Sequence, residues 1–171
     1  MQGSIPCPVY YQTVESFKMK TIEMEIALLE HLNVRQNIIV PNVSWGIAEL
    51  NYECDLVKLS KNNCATEIEI KISKSDLYKD KKKRHNHHSH LFKYFYFAVP
   101  EKLEQVALEE IPEHAGLFVI TKQDKYYRVR EVKKPKLNKH HTKWNNKQRQ
   151  KLAELGTMRI LGLKQALVGK E

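Results

Sequence analysis

Polar and apolar positions alternate strictly over Cys64-Ala-Thr-Glu-Ile-Glu-Ile-Lys-Ile72. A period of two with β-branched residues predicts a strand over Ala65 to Ile72. Its alternation puts Glu67, Glu69 and Lys71 on one face and turns Ile68, Ile70 and Ile72 toward a core. Upstream the period lengthens. Ile22, Ile26, Leu29 and Leu32 recur at helical spacing and predict a helix from about Lys20 to Leu32. Glu25 falls inside that stripe, while Glu23 and Glu30 lie on the opposite side. Strands are expected at Asn37 to Val43 and Tyr52 to Leu59, the second joined to the Glu67 strand by a hairpin turn at Ser60-Lys-Asn-Asn63. A Ser-Trp-Gly turn separates the first two.

Farther along, Ser75 and Asp76 are candidate caps for a polar, basic helix running toward His90. Leu91 to Val99 reads as an aromatic, buried strand that Pro100 closes. A short helix at Lys102 to Glu110 and a strand at Leu117 to Thr121 follow. An edge strand at Tyr126 to Val132 pairs with the latter across Gln123-Asp124. After Lys133-Lys-Pro135 comes a polar linker, then a helix from about Asn145 to Val168. Helix, three strands, helix, strand predicts an α/β fold with a mixed β-sheet flanked by helices.

Charge changes this picture. Residues 1–121 carry 14 Lys/Arg against 16 Asp/Glu, whereas residues 122–171 carry 15 against 4. The net charge of +9 thus resides in the last fifty residues. Such asymmetry suits a polyanionic partner held by one region, with chemistry housed in another, although a solvated basic tail that aids solubility is the plainer account. No apolar run approaches the roughly 20 residues of a membrane span, and the first residues lack the pattern of a signal peptide. Cys7, Cys54 and Cys64 match no zinc spacing and read as reduced thiols of a cytoplasmic protein.

The chemistry lies in Asp55 and Glu69-x-Lys71. Three ionisable groups in succession on a core strand are costly unless they serve a purpose. An acid on one strand and Glu-x-Lys on the next is what a magnesium-dependent phosphodiesterase requires. Carboxylates grip a hard cation, and a lysine steadies the attacking water or the developing phosphate charge. Glu-x-Lys alone is commonly solvent-facing charge. Glu53 and Glu67 read as rim or solvated carboxylates. His87 and His90, or His85 and His88, could share a helix face, yet no cysteine or acidic ligand lies nearby at a recognised zinc spacing, and a phosphate-channel role is the more economical account. Tyr94 to Phe97 read as core, and Trp144, set among lysines and histidines, as a weak base-stacking candidate.

Asp55, the Glu69-x-Lys71 pair, the segment Glu69-Ile-Lys-Ile-Ser-Lys-Ser-Asp-Leu-Tyr-Lys-Asp-Lys-Lys82 and the strand Lys93-Tyr-Phe-Tyr-Phe-Ala-Val-Pro100 resemble the PD-(D/E)XK nuclease superfamily. Within it the chain is most similar to bacterial MmcB-like DNA-repair proteins, over about Thr21 to Thr121. The nominal proline is missing, since Cys54 precedes Asp55. The resemblance implies a restriction-endonuclease-like core over 1–132, with 133–171 as a basic helical C-terminal extension. It implies Asp55, Glu69 and the Ile70 carbonyl as ligands of magnesium, with manganese as the alternative, and Lys71 as the catalytic lysine. A further helix acid completes the set, Glu25 by its place in the stripe and Glu23 as the fallback. It implies DNA cleavage in repair or defence by a cytoplasmic protein, and leaves a homodimer open. Lys74, Lys79, Lys81, Lys82, Lys83, Arg84, Lys133, Lys134, Lys136, Lys139 and Lys143 are then expected on the nucleic-acid backbone.

Overall fold

A computed structural model of the chain describes residues 19–44, 46–80 and 89–169. Lys81, Lys82, Lys83, Arg84, His85, His87, His88, Cys7 and the tryptophan of the expected Ser-Trp-Gly turn lie outside the described residues. The elements in chain order are α1 (Thr21–His31), β1 (Ile38–Val43), β2 (Cys54–Leu59), β3 (Ala65–Ile70), α2 (Lys74–Asp80), β4 (Phe92–Pro100), α3 (Glu104–Glu110), β5 (Gly116–Gln123), β6 (Tyr126–Lys133) and α4 (Asn146–Val168). A 3-10 turn at Glu101–Leu103 leads into α3.

The strands form one six-stranded sheet in chain order. β1, β2 and β3 meander antiparallel, β3-β4 and β4-β5 are parallel, and β6 returns antiparallel to β5. Parallel neighbours need a crossover, and α2 and α3 supply the two crossovers. Their Leu77, Leu103 and Ala107 pack on Phe95, Phe97, Val99, Leu117 and Val119. On the other side α1 covers Leu56, Ile68, Ile70, Ala98, Phe118 and Ile120. With helices on both sides, β3 has no solvent-facing row, and its alternation of charged and apolar residues is buried throughout.

Two expectations shift. The face of α1 that meets the sheet is Met24, Ala27 and Leu28, while Ile22 and Ile26 are exposed. The cap of α2 is Ser73, whose Oγ accepts the Asp76 N–H at 3.2 Å, rather than Ser75 or Asp76. At the β2-β3 hairpin, Asn63 takes a left-handed φ of 59°, which asparagine tolerates, and the Ser60 Oγ accepts the Cys64 N–H.

The segment after β6 is tied into the core. Trp144, 2% exposed, donates its indole N–H to the Leu91 carbonyl at 2.8 Å and packs near Phe92. Leu152 of α4 joins the same cluster with Val40, Val43, Val57 and Leu59. Gln148 donates to the Ala48 carbonyl and Asn145 caps the helix through Gln148. Trp144 is therefore a core residue and no stacking platform, a correction to the sequence reading.

Candidate active site

The expected acidic pair meets where β2 and β3 run side by side. Leu56 pairs with Ile68 and Val57 with Glu67, so the register carries Asp55 to the level of Glu69. The Asp55 Oδ2 accepts the backbone N–H of Ile70 at 2.8 Å. Lys71, just past β3, donates from Nζ to the Glu69 Oε2 at 2.7 Å. Its own N–H bonds to the Ala98 carbonyl, which fixes the lysine backbone against β4. Glu69 and Lys71 are 1% and 6% exposed. Asp55, Glu69, Ile70 and Lys71 are thus gathered at one place, with the ion pair withdrawn from water, where charges interact strongly.

Glu67 belongs with them, against the expectation of a solvated strand end. It is 0% exposed and accepts a hydrogen bond from the Tyr52 hydroxyl at 2.9 Å. Burial and the Glu67 charge push the Tyr52 hydroxyl far up from its ordinary pKa. The Cys54 thiol is also raised well above its usual range, by burial first and then by the charges of Glu67, Glu69 and Asp55. The thiol thus lies in the field of all three carboxylates. Glu67 was missed because a charged residue in an alternating strand reads as solvent-facing. The signal that could have found it is the Phe95-Phe97 pair on the neighbouring strand, whose bulk belongs under crossover helices. Glu53 is exposed, as a rim carboxylate should be.

The two helix acids part company. Glu25 is half-buried, and its Oε1 accepts from the Asn42 side chain at 3.4 Å. Burial raises its carboxyl pKa, against the opposing effects of that hydrogen bond and the Arg159 charge. Asn42 has a left-handed φ of 52° and lies between Pro41, paired with Leu56, and Val43, paired with Cys54. It therefore stands across from Asp55, and Glu25 reaches the sheet at that level, through β1. Arg159 of α4 donates to the Asn42 carbonyl. Glu23 goes elsewhere. It accepts from the Lys20 N–H, Lys122 Nζ and Tyr127 hydroxyl, and these donors hold its pKa at about 2. It fastens α1 to β5 and β6 at the far side of the sheet from Asp55.

Among the described residues, no three His, Cys, Asp or Glu side chains form a ready ligand group. The donor chemistry at Asp55, Glu69 and the Ile70 carbonyl is nevertheless all oxygen. That fits magnesium, which commonly takes one or two carboxylates and keeps several waters. His90, from the histidine run, pairs with Glu49 at 2.7 Å.

The expected backbone-binding lysines divide by environment. Lys74, Lys79, Lys134, Lys139 and Lys143 are exposed. Lys133 donates to the Pro112 carbonyl at 3.0 Å, and burial lowers its pKa. Lys136 is paired with Glu113. No described helix is long and apolar enough to cross a membrane.

No protein-family model matches the chain, and no curated protein does. Among solved structures the chain is similar to a protein of unknown function from Silicibacter pomeroyi. The two are 19% identical with a TM-score of 0.57, over 84% of this chain and 88% of that one. The likeness shows a shared fold, which in this chain is a six-stranded mixed α/β sheet flanked by helices.

Proposed function

We propose that this chain is a metal-dependent nuclease that hydrolyses DNA phosphodiester bonds, with a restriction-endonuclease-like core related to the PD-(D/E)XK superfamily. The observation that carries the reading is the meeting of Asp55, Glu69, Ile70 and Lys71 at the ends of β2 and β3, with Lys71 2.7 Å from Glu69. Asp55, Glu69 and the Ile70 carbonyl would hold magnesium, or manganese in its place. Bound there, the ion would act as a Lewis acid toward a phosphate oxygen. Lys71, as an ammonium, orients the attacking water by donating to its oxygen and stabilises charge gathering on the phosphate. Glu69 keeps the Lys71 ammonium in place through their buried ion pair. Glu25, at the level of Asp55, restrains Asn42 and the edge of the site. The exposed lysines Lys74, Lys79, Lys134, Lys139 and Lys143 hold the phosphate backbone. DNA repair or defence against foreign DNA is the setting such an activity suits.

The second reading is a nucleic-acid-binding protein that keeps this fold without cleaving. Incubation of the purified chain with supercoiled plasmid separates the two. Magnesium-dependent nicking or linearisation supports the nuclease. Retarded but intact plasmid at every magnesium and manganese concentration supports the binding protein.

A further inference from the structure

β4 starts well before its neighbour β5. Phe92 already pairs with Ala65 of β3, yet β5 first meets β4 at Tyr96, opposite Gly116. Residues 92–95 therefore have no strand on the β5 side. The chain after β6 fills part of that gap. Lys136 N–H bonds to the His114 carbonyl, Asn138 N–H to the Lys93 carbonyl, and the Asn138 side chain to the Phe92 carbonyl. Gly116 permits this crossing, because a Cβ there would sit 2.5 Å from the Tyr96 ring and 3.0 Å from Pro135.

What remains between the strand and the covering loop is a cavity of about 320 Å³. That is the lower end of the range that holds a small ligand. Its walls include Lys93, Tyr94, His114, Lys136, Leu137 and Lys139. Among the described residues that line it, none is acidic. Lys93 lies 5.3 Å from the Tyr94 ring centre, so a cation and an aromatic face are presented together. Lys136 is already engaged by Glu113 at the rim, which leaves Lys93 and Lys139 as the principal charges.

We propose that this cavity binds one nucleotide of a single-stranded nucleic acid. The base lies against Tyr94 and Leu137 and its phosphate meets Lys93 and Lys139. Aromatic faces accept any base, and lysines follow the backbone, which is how strand binders work without reading sequence. The cavity is separate from the acidic site. Lys93 lies four residues before Phe97, the register partner of Glu69, or roughly 13 Å along a strand at about 3.3 Å per residue. The inference concerns binding alone and stands whether or not the acidic site cleaves.

Its test is fluorescence anisotropy with a labelled single-stranded oligothymidylate in EDTA, so that cleavage plays no part. Lys93→Ala combined with Lys139→Ala should weaken binding about tenfold or more and reduce the salt slope by about 0.7 per lost contact. Leu137→Glu, a change at an exposed position, should weaken it comparably by placing an anion in the cavity. Lys147→Ala with Lys164→Ala on α4 removes the same charge elsewhere and should change affinity less than about threefold. Thymidine monophosphate should displace the strand at lower concentration than inorganic phosphate. Equal loss in the two lysine pairs, or equal competition by phosphate and the nucleotide, would overturn the proposal.

Discussion

β3 and the second half of α4 break the usual partition in opposite directions. On β3, Glu67 and Glu69 are buried with Lys71 just beyond them. On α4, Met158, Ile160, Leu161, Leu163, Leu167 and Val168 are exposed. Burying charge is expensive, so β3 carries its acids with partners supplied on the spot, Tyr52 for Glu67 and Lys71 for Glu69. Exposing scattered apolar side chains carries little penalty, and the free end of α4 follows from where the sheet stops. Its first half packs through Leu152 and Gln148, a Cβ at Gly156 would come within 3.3 Å of Val40, and Arg159 still reaches the Asn42 carbonyl, after which the helix is exposed. Buried charge is thus the informative violation.

The sharpest way to break this comparison acts on the segment joining the two regions. Trp144→Ala should destabilise the protein by about 3–5 kcal/mol, since a large aromatic leaves the core and the Leu91 carbonyl loses its donor. Urea denaturation reads this directly, and a loss below about 1 kcal/mol would mean that residues 134–169 are appended rather than integral. Next comes the buried acid. Tyr52→Phe removes a hydroxyl from Glu67 and should cost about 1–3 kcal/mol, measured the same way. A neutral result would mean that Glu67 does not rely on that hydroxyl.

The Cys54 thiol gives a chemical probe of the same cluster. In a Cys7→Ser background, a thiol reagent at pH 8 should modify half-exposed Cys64 and leave Cys54 unreacted until denaturant is added, because burial and three carboxylates disfavour its thiolate. Rapid native labelling of Cys54 would show that the cluster is open to water.

Smaller still is the effect of Glu23. Its folded pKa of about 2 lies below the ordinary carboxylate value of 4.5, so its contribution to stability is present above pH 4.5 and fades as pH falls toward 2. Glu23→Gln should therefore be less stable than the parent at pH 7 and converge with it by about pH 2. A constant difference across that range would point to lost packing. At the bottom of the scale, Leu163→Ser on exposed α4 should change stability by less than about 0.5 kcal/mol.

Much of the sheet was legible because strand and helix periods are local properties of the chain. β1 to β6, α1, α3 and α4 fall within a few residues of the expected spans, and α2 starts where expected, its expected continuation over 81–88 lying outside the described residues. What failed depends on covering elements distant in sequence. Glu67 alternates like a solvent-facing residue, and its cover comes from elsewhere in the chain: Tyr52 on its carboxylate, and clusters around its neighbours Val57 and Phe95 that Trp144 and α2 help to build. Trp144 sits among Lys139, His140, His141, Lys143 and Lys147, a local context that reads as surface, yet its partner is Leu91. On α1, Ile22 and Ile26 defined the apparent stripe, but the sheet receives Met24, Ala27 and Leu28. That Asp55, Glu69 and Lys71 come together was legible because the motif they form sits on two strands joined by a short hairpin, whose register sets them level.

The account rests on separation of cutting from holding, and a cleavage assay run beside a gel shift on the same samples tests it most directly. With magnesium, the parent chain should cut plasmid DNA. Lys71→Ala should abolish cutting yet leave affinity nearly unchanged, because one buried lysine is a small part of the basic surface. Joint neutralisation of Lys133, Lys134, Lys136 and Lys139 should instead weaken binding and flatten the salt slope by about one unit per lost contact. The full effect requires Lys133 and Lys136 to leave Pro112 and Glu113. Undiminished cleavage by Lys71→Ala, or no cleavage by the parent under any divalent cation, would contradict the account.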